Sequence, residues 1–133
     1  KKDVNKDKWI GVGGKLEEGE SPEECLLREA KEETGLTLKN PLLRGIVTFV
    51  SNQYGTEYMF VFTCNEFDGE LDYNCDEGIL KWIDISEVLT LNLWEGDRLF
   101  INRLINDKTF FNMKLVYSDD TLIEAYDGIE RIL

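Results

Sequence analysis

Apolar and polar positions follow two different periods along this chain, and the change of period marks the elements. Leu43–Val50 and Glu57–Cys64 are rich in β-branched and aromatic residues. The turn-forming run Ser51-Asn52-Gln53-Tyr54-Gly55-Thr56 joins them, which predicts a β-hairpin. Phe110–Tyr117 and Thr121–Tyr126 predict a second hairpin across Ser118-Asp119-Asp120. Another strand is expected over Ile79–Ile85, after an acidic loop from Glu66 to Gly78, and Ser86 is placed to cap a short helical turn. Helical spacing takes over in two places. Glu95–Ile105 carries Leu99, Phe100, Leu104 and Ile105 at helical spacing. Pro22–Thr34 is bracketed by Ser21 as N-cap, Pro22 at the first helical position, Glu24 completing a capping box and Gly35 as a left-handed stop. Ahead of it, the apolar run Trp9–Val12 ends in Gly13-Gly14, and a polar loop runs from Lys15 to Glu20. Strands mixed with two helices indicate an α/β sheet with helices on its faces.

Composition narrows what such a domain does. With 133 residues and 42% hydrophobic content the chain suits a single domain, 1–133, with its own core. Acidic residues outnumber basic ones 27 to 15, for a net charge of −12, which argues against a grip on a nucleic-acid polymer or an anionic membrane. Histidine is absent, and with it every Ser-His-Asp or Cys-His nucleophile and every His-ligated zinc. Cys25, Cys64 and Cys75 are odd in number and widely spaced, so they read as buried free thiols of a reducing compartment. No stretch approaches the roughly 18 apolar residues that span a bilayer, and no signal peptide precedes the first charged segment, so a soluble cytoplasmic protein is expected.

The glycines and acids admit several phosphate and metal motifs that fail on inspection. Gly11-Val12-Gly13-Gly14-Lys15 lacks the third glycine of a dinucleotide fingerprint, because Leu16 stands there, and lacks the leading glycine of a P-loop, because Trp9 does. Asp72-Tyr73-Asn74-Cys75-Asp76 begins like a calcium loop, but its turn glycine comes one place late and Ile83 occupies the twelfth position. The helix is more informative. At about 100° per residue, Glu33 and Glu32 fall within about 60° of Glu29, on the face shared with Cys25 and Leu26. A solvated face would set these charges opposite the apolar residues and pair them with lysines. Three carboxylates gathered here require a cation, and an all-oxygen set favours Mg²⁺ first and Mn²⁺ second.

Gly14, five residues, Glu20, seven residues and then Arg28-Glu29-Ala30-Lys31-Glu32-Glu33-Thr34-Gly35-Leu36 resemble the complete Nudix box, G-x5-E-x7-R-E-U-x-E-E-x-G-U with U apolar. Its seven fixed positions match by chance on the order of 10⁻⁷ per starting point. Ala30 alone is smaller than the usual residue. The resemblance implies a Nudix-type α/β/α sandwich around a mixed β-sheet. It leaves open whether the usual N-terminal strand is present, since only the polar stretch Lys1–Lys8 stands in its place. It also implies hydrolysis of a nucleoside diphosphate linked to another group, by attack of water on phosphorus. Glu29, Glu32 and Glu33 would bind divalent ions with the backbone carbonyl of Gly13. Arg28 would orient the glutamates, Glu20 would close the loop onto the helix and Lys15 would approach the phosphates. A further glutamate from a later loop is expected, with Glu77 the best candidate.

Beyond the box, Trp9–Lys15, Leu93-Trp94-Glu95-Gly96-Asp97 and Phe110–Leu133 look like the MutT-type branch that removes oxidised purine triphosphates such as 8-oxo-dGTP. There Trp94 would stack on the base and Asp97 would bond its polar edge, although Ile10 replaces a base-contacting asparagine. The ADP-ribose branch tends to carry a proline near positions 51 and 52, which are Ser and Asn here. Tyr54 keeps the dinucleoside-polyphosphate branch as an alternative, and a non-catalytic nucleotide-binding module is disfavoured by the intact glutamates. The partner expected is a small nucleotide. Oligomeric state is not legible.

Overall fold

The computed structural model describes Lys8, residues 10–72 and residues 80–133. The chain forms two compact units. One is built from Ile10–Leu42 and Cys64–Asp84, the other from Leu43–Thr63 and Ile85–Leu133, with Lys8 beside them.

In the first unit, helix α1 (Pro22–Thr34) starts and stops where its signals predict. The Ser21 side chain accepts from the Glu24 N–H, and the Glu24 carboxylate accepts from the Ser21 N–H. At the other end Gly35 takes φ 80°, a left-handed conformation that glycine enters without a Cβ clash. The Lys31 ammonium donates to the Gly35 carbonyl, a favourable charge at a helix C-terminus. Cys25, Ala30 and Thr34 form the buried stripe. Ala30 is 3% exposed, so the small residue in the box sits at a close contact. Beyond the helix, β1 (Thr37–Lys39) pairs antiparallel with β4 (Glu66–Asp68). The half-buried Cys64 sulfur lies 3.1 Å from both the Lys39 and Glu66 carbonyl oxygens, which share its one hydrogen, beside the last pair of that ladder.

The second unit holds a mixed five-stranded sheet in the order β3-β2-β5-β6-β7. Strands β2 (Leu42–Ser51) and β3 (Gly55–Thr63) are joined by a three-residue turn, and β5 (Phe111–Ser118) and β6 (Thr121–Asp127) form the second expected hairpin. The two-residue strand β7 (Glu130–Arg131) ends the sheet. Strand β5 runs parallel to β2, which forces a long crossover between them. That crossover carries helix α2 (Glu95–Asn106), which lies against β5 and β6. Phe111, Met113 and Leu115 alternate inward along β5 and meet Val47, Val61, Phe100, Leu122 and Ala125 in one core. Gly45 is required on β2 because a Cβ there would enter the Phe111 ring. The ladder between β5 and β6 slips between Val116 and Tyr117, leaving Ile123 as an extra residue opposite.

Three expectations need correction. Leu80–Asp84 carries no regular structure where the strand Ile79–Ile85 was expected, and Ile85–Thr90 forms a 3-10 turn instead. None of the apolar residues described in that run is fully buried: Trp82 is 57% and Ile85 68% exposed, while Leu80 and Ile83 are half-buried. The loop expected from Glu66 begins instead with the short strand β4. Of the thiols expected to be buried, Cys25 is, Cys64 is only half-buried, and both are free. Cys75, Glu77, Ile79, Trp9 and the place of the N-terminal strand lie outside the described residues. Among the described residues no helix is long and apolar enough to cross a membrane.

Candidate active site

The box residues converge where the glycine loop meets α1, within the first unit. Gly14 packs so closely on the Glu29 carboxylate that a Cβ at this position would collide with it. The Gly13 N–H donates to Glu33 Oε2 at 3.0 Å. Arg28 ties the assembly together. Its Nε and Nη2 donate to the two carboxylate oxygens of Glu20 at 2.6 and 3.0 Å, a bidentate pair, while Nη2 also reaches the Lys15 carbonyl at 3.0 Å. On its other side, Nη1 meets Glu29 Oε1 at 2.7 Å and Glu32 Oε2 at 3.3 Å. One guanidinium thus binds the loop glutamate and two of the three helix glutamates.

Electrostatics follow from that contact. The Arg28 guanidinium holds the Glu20 carboxyl down at about 2, helped by the Glu17 N–H, and the glutamates push the Arg28 pKa further up. Burial and the charge of Glu20 push the Cys25 thiol up, so it is a packing group whose hydrogen points at the Gly14 carbonyl, 3.7 Å away. The cation that the carboxylate cluster requires is supplied in this conformation by Arg28. The three glutamates are not equivalent: the Glu29 side chain is 15% exposed and the Glu32 side chain 60%. The donors are all oxygen, which fits a hard divalent ion in kind. In this conformation no three His, Cys, Asp or Glu side chains among the described residues are close enough to cage one unaided. Lys15 is exposed on the loop.

Trp94 and Asp97 belong to the second unit, at the start of α2. Trp94 is half-buried and is itself the N-cap residue, with no side-chain cap bond. The Lys8 ammonium lies 5.2 Å from the centre of its ring and donates to Asn92 Oδ1. The Tyr117 ring meets the indole edge-on, with centroids 6.1 Å apart and planes at 87°. Burial raises the Asp97 carboxyl to about 6. It raises the Tyr117 phenol to about 12, with the neighbouring Asp97 and Glu95 charges adding to the rise. Neither Lys8 nor Tyr117 carried a sequence signal: one lies in a polar run and the other ends a strand. Ile10 is exposed at the base of the glycine loop, and Glu77 falls outside the described residues.

A family model described as the NUDIX domain matches residues 1–104. An uncharacterized Nudix hydrolase, YvcI, of Bacillus subtilis (strain 168) is 29% identical over 122 residues, which is 89% of this chain and 77% of that protein. The oxidized purine nucleoside triphosphate hydrolase of Danio rerio is 30% identical over 128 residues, covering 94% of this chain and 81% of its own. Among solved structures, the MutT protein from Bacillus halodurans matches with a TM-score of 0.86 at 34% identity, over 92% of this chain and 84% of that one. The mixed α/β fold is common to both.

Proposed function

The chain belongs to the Nudix hydrolase family, and from that premise we propose that it is a pyrophosphohydrolase of purine nucleoside triphosphates, oxidised ones such as 8-oxo-dGTP included, releasing monophosphate and pyrophosphate. The observation that carries the reading is the junction of the glycine loop with α1. There Arg28 is clamped by Glu20, Glu29 fills the space that Gly14 leaves, and Glu33 is anchored on the Gly13 N–H. Glu29, Glu32 and Glu33, with the Gly13 carbonyl, would hold Mg²⁺, or Mn²⁺ in its place. Such an ion neutralises the phosphates and acidifies the attacking water.

The chain's own residues supply the rest. A carboxylate of this set takes the proton of the water, and Glu77 is a further candidate for that task. Arg28 positions Glu29 and Glu32 through Nη1. Lys15, exposed on the loop, approaches the phosphate oxygens. At the base, Trp94 offers a ring for stacking. Asp97, with its carboxyl raised to about 6, is present both protonated and ionised near neutral pH, and so is able to donate to or accept from a purine edge. The oxidized purine nucleoside triphosphate hydrolase of Danio rerio, among the relatives, supports this substrate class.

A nucleotide panel with Mg²⁺, its products resolved by ion-exchange chromatography, tests the proposal. The expected result is a higher kcat/KM for oxidised and normal purine triphosphates than for diadenosine polyphosphates or ADP-ribose. Tyr54 is 53% exposed at the tip of the β2–β3 hairpin, so the dinucleoside-polyphosphate reading remains the specific alternative. Faster cleavage of diadenosine polyphosphates would establish that alternative, and binding without cleavage of any compound would make the protein a nucleotide-binding module.

A further inference from the structure

Helix α2 begins without a cap of its own. The first N–H groups of any helix have no intrahelical partner and need one from elsewhere. Trp94, as N-cap residue, makes no side-chain bond to them. The N–H of the buried Gly96 is instead taken by the Tyr117 hydroxyl of β5, at 2.7 Å. Glycine is required at that point, since a Cβ on residue 96 would lie 2.7 Å from both Tyr117 Oη and Leu115 Cδ1. The helix start therefore rests directly on the strand, backbone against side chain. Tyr117 also sits where the β5–β6 ladder slips by one residue, a bulge of the kind that re-aims a side chain beside a site. The same tyrosine ring abuts the Trp94 indole edge-on.

We infer that Tyr117 is a positioning residue for base selection: through the Gly96 N–H and the Trp94 ring it sets the relative placement of Trp94 and Asp97. The inference rests on the proposed reading of those two residues as the base-recognising pair. Trp94 and Asp97 stand three positions apart across the first turn of α2, so a tilt of that turn moves one relative to the other. Tyr117 opposes such a tilt at two points, by accepting from the turn's own N–H and by buttressing the ring that precedes it. Its hydroxyl has its own hydrogen to give, having used only an oxygen lone pair on Gly96.

The test compares Tyr117→Phe, which keeps the ring and removes the hydroxyl, with Val61→Ala, a core truncation on β3 that lowers stability without touching α2's first turn. For each, kcat and KM are measured with 8-oxo-dGTP, dGTP and dCTP at a temperature where the protein is fully folded. Tyr117→Phe is expected to change the 8-oxo-dGTP to dGTP ratio of kcat/KM by about fivefold or more, with KM rising more than kcat falls. Val61→Ala is expected to leave that ratio as it is. An unchanged ratio in Tyr117→Phe, in an enzyme that does discriminate between bases, would overturn the inference alone. If the unmodified enzyme shows no base preference, the purine reading and the inference fall together. Should Tyr117→Phe not fold, amide exchange on the unmodified protein decides: Gly96 is expected to be protected like the interior of α2, and exchange at the rate of an unfolded chain would overturn the inference.

Discussion

In the proposed mechanism Glu29 and Glu33 carry most of the chemistry asked of α1, and a contact that holds each can be named. Glu29 meets Arg28 Nη1, and Glu33 meets the Gly13 N–H. Replacing either with Gln keeps the shape and removes the charge. Hydrolysis is expected to fall by roughly 100-fold or more, with the far-UV circular dichroism unchanged. Full activity in both variants would refute the assigned roles. Asp97 leads to a different prediction. Its folded-state carboxyl is raised to about 6 from an ordinary 3.8, so the native state holds a proton that the unfolded chain has already released. Stability from this group is therefore greatest below pH 4, falls as pH rises towards 6 and is flat above. Asp97→Asn is expected to be more stable than the unmodified protein at pH 7, by about 1–3 kcal/mol, and to lose that advantage by pH 4. Thermal melts across the range would show it, and a difference independent of pH would exclude burial of Asp97 as its cause.

At the scale of elements, the loop–helix junction depends on two backbone conditions. Gly35 ends α1 in a left-handed conformation, and Gly14 lets the loop close on Glu29. Gly14→Ala would push a methyl group into the Glu29 carboxylate, the movable end of a side chain. The displaced group is a proposed ligand, so activity should drop about tenfold or more while the melting temperature changes little. A large loss of stability with activity intact would reverse that assignment. The helix itself was legible because its signals are local: cap, box and stop all act within four residues of the chain they organise. Strands β1 and β4 gave no such signal. Each has three residues, mostly exposed, and each is a strand only because the other lies beside it. The run Ile79–Ile85 failed in the opposite sense, since its apolar pattern is met by only partial burial in Leu80–Asp84, with Trp82 exposed.

For the whole molecule, a net charge of −12 makes any polyanionic substrate an unfavourable guest unless cations accompany it. Arg28 already occupies much of the negative field of the box. A divalent ion bound as proposed would therefore share these carboxylates with the guanidinium. Mg²⁺ at millimolar concentration is expected to raise the melting temperature beyond what NaCl of equal ionic strength achieves. At 100 times its dissociation constant the gain would be about 2.7 kcal/mol. The increment should shrink in Glu29→Gln. Equal shifts from both salts would mean general screening rather than a site.

The residues alone determined the α1 helix with both of its ends, the two hairpins, the helical start at Glu95 and the spacing of the glutamates, because each depends on neighbours in the chain. They also limited any catalysis to carboxylates, lysine, tyrosine, serine or a metal, since no histidine is present. Only the tertiary structure decided that one arginine would hold Glu20, Glu29 and Glu32 together, and that Phe111 would need a glycine opposite it on β2. It alone put Tyr117 beneath the start of α2. The arginine's contacts need the loop folded back onto the helix, whereas those of Phe111 and Tyr117 join residues distant in the chain, and their geometry depends on sheet register and on a bulge that no local pattern encodes.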